Sequence, residues 1–211
     1  MDLNDHITAV ILAGGKNSRF QGKIKSLEPL NSYPLIYHEI KVLKQIFRDI
    51  IIIANNKKVI HKHFNLPVYE DQYKRKGPLG GIHAGMAQAS TKYIFIVGGD
   101  MPFLDKNLIT KQINLIRKHK YEAIIPQTIN GFEPLHGIYD TELHNKLEKL
   151  LSSSGTYPIR TLLHQVNTYF WQIAEQNAFI NINTPQELEY YNSQFRSHPE
   201  AYKNKQGKPN K

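Results

Sequence analysis

Cysteine is absent from the 211 residues of this chain. Disulfide bonds, zinc–thiolate sites and a cysteine nucleophile are therefore excluded. The sequence also lacks any apolar run close to the ~20 residues that a transmembrane helix needs. Its first residues, MDLNDHITAV, carry no basic segment ahead of the apolar run, which argues against a secretory signal peptide. These absences predict a cytoplasmic protein that has no membrane partner.

Two nucleotide-binding signatures are missing as well. The chain contains neither the GxGxxG pattern of dinucleotide-binding folds nor the GxxxxGK[ST] pattern of P-loop proteins. The ten histidines include no HExxH pair, so a histidine-ligated metal is not expected. The aromatic residues are scattered and do not form the stacking pairs of RNA-recognition modules.

The charge that is present is mostly positive. The formal net charge is +9, of which residues 195–211 contribute +4 and residues 1–194 contribute +5. A positive body favours an anionic ligand such as a phosphate or a nucleic acid. Residues 195–211 offer little apolar surface to bury, so we expect a single domain over residues 1–194 followed by a basic, disordered tail.

Apolar β-rich runs alternate with helical patterns along the chain. This alternation predicts an α/β fold, a three-layer sandwich whose sheet is mostly parallel. The predicted strands cover residues 7–13, 49–55, 67–71, 93–100, 122–126, 134–140, 168–173 and 179–183. The predicted helices cover residues 35–47, 57–63, 80–90, 104–118, 141–151 and 158–166, and a last one starts at Pro185 behind the capping residue Thr184.

Glycines and charged residues cluster where the predicted strands end, which is where open α/β sheets bind ligands. After the first strand, Gly14 and Gly15 allow the backbone to approach a ligand closely. Residues 14–26 then hold four cations and no acid, which suits a polyphosphate. A tight turn with a solvated basic loop is the plainer alternative, but the position at a strand end favours phosphate binding.

An aspartate stands at the end of another strand. Asp100 follows two glycines and precedes Met101 and Pro102, so the chain can turn sharply and hold the carboxylate rigidly. Mg²⁺ is usually bound by one or two carboxylates together with substrate phosphates. Asp100 is therefore the predicted metal ligand, with Asp71 as a candidate second one. Asp105 is better placed than Asp100 to cap the following helix.

Several motifs together resemble one family. The segments LAGGKNSRF–QGKIK, GPLGGI, GGDMPF and INTPQEL occur in the order typical of molybdenum cofactor guanylyltransferases. That family belongs to the nucleotidyltransferases with a Rossmann-like, glycosyltransferase-A-like fold. The resemblance extends over residues 7–190. Two positions depart from the family pattern: Gln21 replaces a glycine, and Ile24 replaces the acid expected beside Lys25.

The resemblance implies a set of functional residues. Arg19, Lys25 and Asp100 are expected to be catalytic, and Asp100 is expected to bind Mg²⁺. The expected nucleotide-binding residues are Leu12, Ala13, Gly14, Gly15, Lys25, Asp71, Gly77, Pro78, Leu79 and Asp100. The residues expected on the pterin side are His136, Asn181 and Asn183.

The resemblance also implies an activity: Mg²⁺-dependent transfer of GMP from GTP to the phosphate of the molybdenum-bound pterin cofactor, with release of pyrophosphate. Other cofactor-biosynthesis proteins are expected as candidate partners. Two alternatives stay open. One is a related nucleotidyltransferase that uses CTP or a sugar phosphate acceptor; the other is a non-catalytic binder of nucleic acid, suggested by the net charge of +9.

Overall fold

A twisted central sheet organises the chain. The computed structural model describes residues 6–14, 17–153 and 155–197, and within them the sheet has eight strands beside a separate two-stranded hairpin. The strands are β1 (Ile7–Leu12), β2 (Pro29–Leu30), β3 (Tyr33–Pro34), β4 (Ile50–Ile53), β5 (Val68–Tyr69), β6 (Tyr93–Gly98), β7 (Ala123–Thr128), β8 (Gly131–Phe132), β9 (His136–Asp140) and β10 (Thr168–Gln172). Strands β2 and β3 form the hairpin.

The sheet is mostly parallel, as predicted. Its order is β10-β7-β9-β6-β1-β4-β5, and β8 pairs with β7 outside this path. Strand β1 is parallel to β4 and β6, β4 is parallel to β5, and β7 is parallel to β10. Strand β9 runs antiparallel to both β6 and β7. The parallel pairing of β6, β1, β4 and β5 brings their carboxyl ends to one edge of the sheet.

Helices cover both faces of this sheet. They are α1 (Leu35–Leu43), α2 (Lys57–His63), α3 (Pro78–Gln88), α4 (Lys106–Lys118), α5 (His144–Ser152), α6 (Ile159–Leu163) and α7 (Pro185–Ser197). Helices α1, α2 and α4 contribute to the core on one face, and α3, α5 and α6 contribute to the core on the other. The architecture is therefore the predicted three-layer sandwich.

The isoleucines of β4 illustrate why the sequence forms this core. Ile50 and Ile52 point to the face covered by α1, whereas Ile51 and Ile53 point to the face covered by α3. Successive side chains of a strand alternate between faces, so a strand covered on both sides must be apolar throughout. A third, smaller cluster joins the β2–β3 hairpin to α7 through Leu30 and Phe195, among others.

The helix termini follow local capping chemistry. Asp105 caps α4, since its side chain accepts hydrogen bonds from the backbone N–H groups of Asn107 and Leu108 at 2.7 and 3.0 Å. At the start of α7, the backbone N–H of Glu187 donates to Thr184 Oγ1 and the backbone N–H of Thr184 donates to Glu187 Oε2. Both capping predictions are confirmed.

The prediction of a strand over residues 179–183 was wrong. A 3-10 turn covers Asn177–Phe179, and the backbone N–H of Ile182 donates to the carbonyl of Asp100 at 2.9 Å instead of to a neighbouring strand. This single hydrogen bond draws the segment towards the end of β6. Helix α7 extends to Ser197 and buries Phe195, so the first three residues of the predicted tail belong to this helix.

Within the described residues, no helix is both long enough and apolar enough to cross a membrane.

Candidate active site

A cavity of about 780 Å³ opens at the carboxyl edge of β6, β1, β4 and β5. This is the edge at which open α/β sheets bind their ligands. The residues that line it are Leu12, Gly14, Ile53, Ala54, Asn55, Asp71, Arg75, Gly77, Pro78, Gly81, Asp100 and Leu135. Six of them were predicted from the sequence as nucleotide-binding residues: Leu12, Gly14, Asp71, Gly77, Pro78 and Asp100.

Asp100, which lines one end of the cavity, belongs to a cluster of charged and amide groups. Lys25 Nζ lies 2.5 Å from Asp100 Oδ2 and 3.1 Å from Asn183 Oδ1. These residues come from three distant segments of the chain, and the lysine and the aspartate are about one-fifth exposed, at 23% and 19%. The predicted juxtaposition of the basic loop, the aspartate and the INTP segment is therefore present. We call Lys25, Asp100 and Asn183 the Asp100 cluster.

The turn that carries Asp100 is packed tightly against β1. The backbone N–H of Gly99 donates to the carbonyl of Leu12 at 3.0 Å, and a Cβ on Gly99 would lie 3.3 Å from this oxygen and from Ala13 Cα. A Cβ on Gly98 would lie 2.6 Å from Asp100 Oδ1. Glycine at these two positions therefore allows the aspartate to sit directly beside the first loop.

A buried glutamate supports the same turn from below. Glu39 of α1 is fully buried, and its Oε1 accepts a hydrogen bond from the backbone N–H of Met101 at 2.9 Å. Burial raises the pKa of Glu39 well above its usual value, and the nearby Asp100 carboxylate raises it further. Sequence reasoning assigned no such contact to this residue. The sequence feature that could have indicated this contact is an acid on the apolar face of α1, between Leu35 and Leu43.

The other end of the cavity is built from the turn that follows β5. Asp71 Oδ1 accepts a hydrogen bond from the backbone N–H of Tyr73 at 2.7 Å, and burial raises the pKa of Asp71. A Cβ on Gly80 would lie 2.5 Å from Asp71 Oδ2, so the carboxylate rests directly on the first turn of α3. We call residues 71–77 the Asp71 turn.

Two polar residues that line the cavity, Asn55 and Arg75, were not predicted to bind. Asn55 follows β4, and a Cβ on Gly14 would lie 3.6 Å from its Nδ2. Arg75 belongs to the Asp71 turn and has a positive φ of 69°. The position of Asn55 at a predicted strand end was an available signal. The run of three cations at residues 74–76 did not indicate which of them faces the cavity.

The basic loop is only partly described. Gly15 lies outside the described residues, whereas Ala13 is bound to β4 through its backbone N–H, which donates to the carbonyl of Ile53 at 2.9 Å. Arg19 is exposed in the 3-10 turn Asn17–Phe20 and does not line the cavity. Gln21 adopts a positive φ of 54°, a conformation that favours glycine. This explains physically why glycine suits that position better.

The remaining predicted residues do not line the cavity. Leu79 belongs to the first turn of α3 and is fully buried. The His136 ring is fully buried between Phe95 and Phe179, with both ring centroids 5.0 Å away, and burial lowers the pKa of His136 to about 4. Asn181 donates a hydrogen bond to the carbonyl of Phe179 at 3.0 Å. Leu135, the neighbour of His136, lines the cavity instead.

Comparison with known proteins identifies the family of this chain. The family model described as the MobA-like NTP transferase domain matches residues 9–169, a range that contains every lining residue named above but not Asn183. The chain belongs to the MobA-like NTP transferase family. It is therefore a nucleotidyltransferase, and both the predicted family and the predicted class of enzyme are confirmed.

Curated relatives named as molybdenum cofactor guanylyltransferases match this chain over most of their length. A probable molybdenum cofactor guanylyltransferase of Natranaerobius thermophilus is 34% identical over 196 residues, which cover 89% of this chain and 95% of the relative. A molybdenum cofactor guanylyltransferase of Vibrio campbellii is 35% identical over 181 residues, which cover 85% of this chain and 91% of the relative.

Solved structures confirm the fold of the MobA-like domain. The molybdopterin-guanine dinucleotide biosynthesis protein A of Archaeoglobus fulgidus superposes with a TM-score of 0.77 at 22% identity, covering 90% of this chain and 99% of that chain. A CMP:2-keto-3-deoxy-manno-octonic acid synthetase in complex with CTP superposes with a TM-score of 0.76 at 12% identity, covering 92% and 100%. The glycosyltransferase-A-like fold was thus predicted correctly.

Proposed function

We propose that this nucleotidyltransferase transfers GMP from GTP to the phosphate of the molybdenum-bound pterin cofactor and releases pyrophosphate. The observation that carries the proposal is that Lys25 and Asn183 lie beside Asp100, which lines one end of a cavity large enough for a nucleotide. The names of the curated relatives, molybdenum cofactor guanylyltransferases, support this choice of substrates. The cytoplasmic location and the association with other cofactor-biosynthesis proteins stay predictions.

The side chains of the Asp100 cluster fit a divalent cation. Asp100 Oδ2 and Asn183 Oδ1 both approach the same ammonium group of Lys25, so two hard oxygen atoms already converge on a positive charge. Among the described residues, no group of three or more His, Asp or Glu side chains could hold a metal by itself. A site with one carboxylate suits Mg²⁺, which takes its remaining ligands from water and substrate phosphates. Mg²⁺ bound there would neutralise charge on the nucleotide phosphates.

The reaction needs little acid–base chemistry from the protein. A phosphate oxygen of the pterin cofactor, already anionic, forms a bond to the α-phosphorus of GTP. The bond from this phosphorus to the bridging oxygen of the β-phosphate breaks, and pyrophosphate leaves with the electron pair. The protein therefore contributes positioning and charge neutralisation rather than a nucleophile.

Each part of the site has a task in this scheme. Lys25 would stabilise the charge that grows on the leaving pyrophosphate, and Arg19 would join it from the exposed 3-10 turn. Gly14 would allow the first loop to approach the phosphates. Asn183, which contacts Lys25, is the residue that we assign to the pterin side. The predictions that His136 and Asn181 belong to the pterin side stay predictions without a supporting contact.

A nucleotide panel tests the proposal. Thermal shifts of the protein with GTP, CTP, UTP or ATP, each with Mg²⁺, should show the largest stabilisation with GTP, because a ligand that binds only the folded state raises its stability. Purified pterin cofactor should then give Mg²⁺- and GTP-dependent release of pyrophosphate. A preference for CTP would support the alternative nucleotidyltransferase instead. Steeply salt-dependent binding of RNA or DNA without any nucleotide effect would support the nucleic-acid binder.

A further inference from the structure

Three consecutive cations in the Asp71 turn have different surroundings. Lys74 Nζ lies 3.5 Å from Glu70 Oε2, and both side chains are largely exposed. Lys76 Nζ donates to the backbone carbonyls of Ser153 and Gly155 at 2.8 and 2.6 Å. Arg75 lines the cavity, and its guanidinium has no hydrogen bond or ion pair with any described residue. Of the three, Arg75 alone lines the cavity, and its guanidinium has no partner in the described part of the protein.

The backbone of Arg75 is strained. Its φ is 69°, which lies in the left-handed region that residues other than glycine, asparagine and aspartate rarely adopt. Such outliers cost free energy and persist where the surrounding structure imposes them, often at functional sites. Hydrogen bonds on both sides of Arg75 hold its backbone in this conformation. Asp71 accepts from the backbone of Tyr73 on one side, and Lys76 is bound to the loop at Ser153 and Gly155 on the other.

Arg75 lies at the end of the cavity where we expect the base of the nucleotide rather than its phosphates. Asp100 follows β6 and Asp71 follows β5, and these strands are separated by β1 and β4 in the sheet. Three strand spacings put the two ends of the cavity roughly 14 Å apart. A nucleotide whose phosphates lie at the Asp100 cluster therefore extends towards the Asp71 turn with its base.

We propose that Arg75 recognises the guanine base by donating two hydrogen bonds to its O6 and N7 atoms. This inference rests on the proposed function, since it takes GTP as the nucleotide. A guanidinium carries two parallel N–H donors, and the O6/N7 edge of guanine presents two matching acceptors. Adenine places an amino donor where guanine has O6, and pyrimidines lack this edge. Arg75 would thus select guanine as well as bind it.

Titration calorimetry of two nucleotides tests the proposal. The probes are Mg²⁺–GTP and Mg²⁺–7-deaza-GTP, in which the N7 acceptor is replaced by C–H. The variants are Arg75→Asn, which tolerates a positive φ while removing the guanidinium, and Arg75→Lys, which keeps the charge without the fork. Lys74→Asn is the matched control, because it removes an adjacent exposed cation and changes the net charge equally.

We expect Arg75→Asn to weaken GTP binding roughly tenfold or more, in the range of a bidentate base contact. Wild-type protein should bind 7-deaza-GTP more weakly than GTP, and Arg75→Asn should abolish most of this difference. Arg75→Lys should also lose the discrimination between the two nucleotides, and Lys74→Asn should stay within about twofold of wild type. Thermal melting of each variant without nucleotide checks that the fold is kept.

The possible failures can be told apart. If wild-type protein binds GTP and Arg75→Asn binds it equally well, the assignment of Arg75 is overturned and the proposed function stands. The same holds if every variant keeps the wild-type discrimination between GTP and 7-deaza-GTP. If wild-type protein prefers another nucleotide or binds none, both the proposed function and the guanine contact are overturned.

Discussion

The two ends of the cavity hold their charged side chains in contrasting ways. In the Asp100 cluster, Lys25, Asp100 and Asn183 satisfy one another across segments that are 75 and 158 residues apart. In the Asp71 turn, Asp71 is bound by the backbone two residues away, and Arg75 has no partner among the described residues. The first end is an electrostatic cluster that depends on the whole fold, whereas the second is a local turn that presents side chains to a ligand. Substitutions at the first should therefore reduce the rate, and substitutions of the cavity-lining residues at the second should reduce binding.

The largest effect is expected from Asp100→Ala. Removing the carboxylate removes the predicted metal ligand, and we expect turnover to fall roughly 1,000-fold or more while the fold is kept. Pyrophosphate release measured against the Mg²⁺ concentration checks this, with circular dichroism as the control for folding. Mg²⁺-dependent turnover retained in the variant would refute the assignment of Asp100.

Lys25→Met should have the next largest effect. If Lys25 stabilises the leaving pyrophosphate as proposed, its loss should lower kcat by about 100-fold with a smaller change in KM for GTP. Lys23→Met is the matched control, because Lys23 is an exposed cation of the same loop. Equal rates in the two variants would mean that the loop acts through its overall charge rather than through Lys25.

Gly80→Ala tests the opposite end of the cavity. The new Cβ would lie 2.5 Å from Asp71 Oδ2 and 2.8 Å from the carbonyl of Tyr73, so the Asp71 turn must shift. We expect a destabilisation of about 2 kcal/mol. Binding of GTP should weaken by roughly tenfold, while kcat at saturating GTP stays close to wild type. Steady-state kinetics and thermal melting measure these effects. A fall in kcat with an unchanged KM would contradict the contrast between the two ends.

The smallest effect on turnover is expected from His136→Phe. Burial lowers the pKa of His136 from 6.5 to about 4. Between these two pH values the ring is protonated in the unfolded chain but stays neutral in the native protein. The stability that the neutral ring contributes is present above pH 6.5 and is lost as the pH falls towards 4. The difference in unfolding free energy between wild type and variant should change by about 1.4 kcal/mol per pH unit in this window.

Urea unfolding between pH 7 and pH 4 measures this difference, and the subtraction removes the contributions of other titrating groups. Turnover of His136→Phe should stay near the wild-type value if the ring belongs only to the core. A selective rise in KM for the pterin cofactor would instead support the prediction that His136 lies on the pterin side.

The features that the sequence predicts are those set by local patterns, and the features that it misses depend on contacts between distant segments. The uninterrupted apolar runs of β1, β4 and β6 identify a sheet that is covered on both faces, and local caps such as Asp105 and Thr184 identify the helix starts. The antiparallel direction of β9 depends on pairing with β6 and β7, which leaves no local pattern. The chain at Ile182 has the composition of a strand, but its N–H is bound to the carbonyl of Asp100.

The residues of the site also fall into those that local sequence predicts and those that it does not. Asp71 and Asp100 were predicted because acids at strand ends meet at one edge of the sheet. Glu39 and Arg75 were not predicted. The contact of Glu39 depends on tertiary packing, and the backbone of Arg75 has a positive φ that an arginine does not predict. His136 is adjacent to the cavity-lining Leu135, but its ring is fully buried between Phe95 and Phe179.

A crystal structure of the protein with Mg²⁺ and a non-hydrolysable GTP analogue tests the central claim most directly. We predict a metal ion coordinated by the Asp100 carboxylate at about 2.1 Å, with the phosphates beside Lys25 and the guanine base at the Asp71 turn. Nucleotide bound elsewhere on the protein, or bound in the cavity with its base at Asp100 and its phosphates at Asp71, would contradict the account.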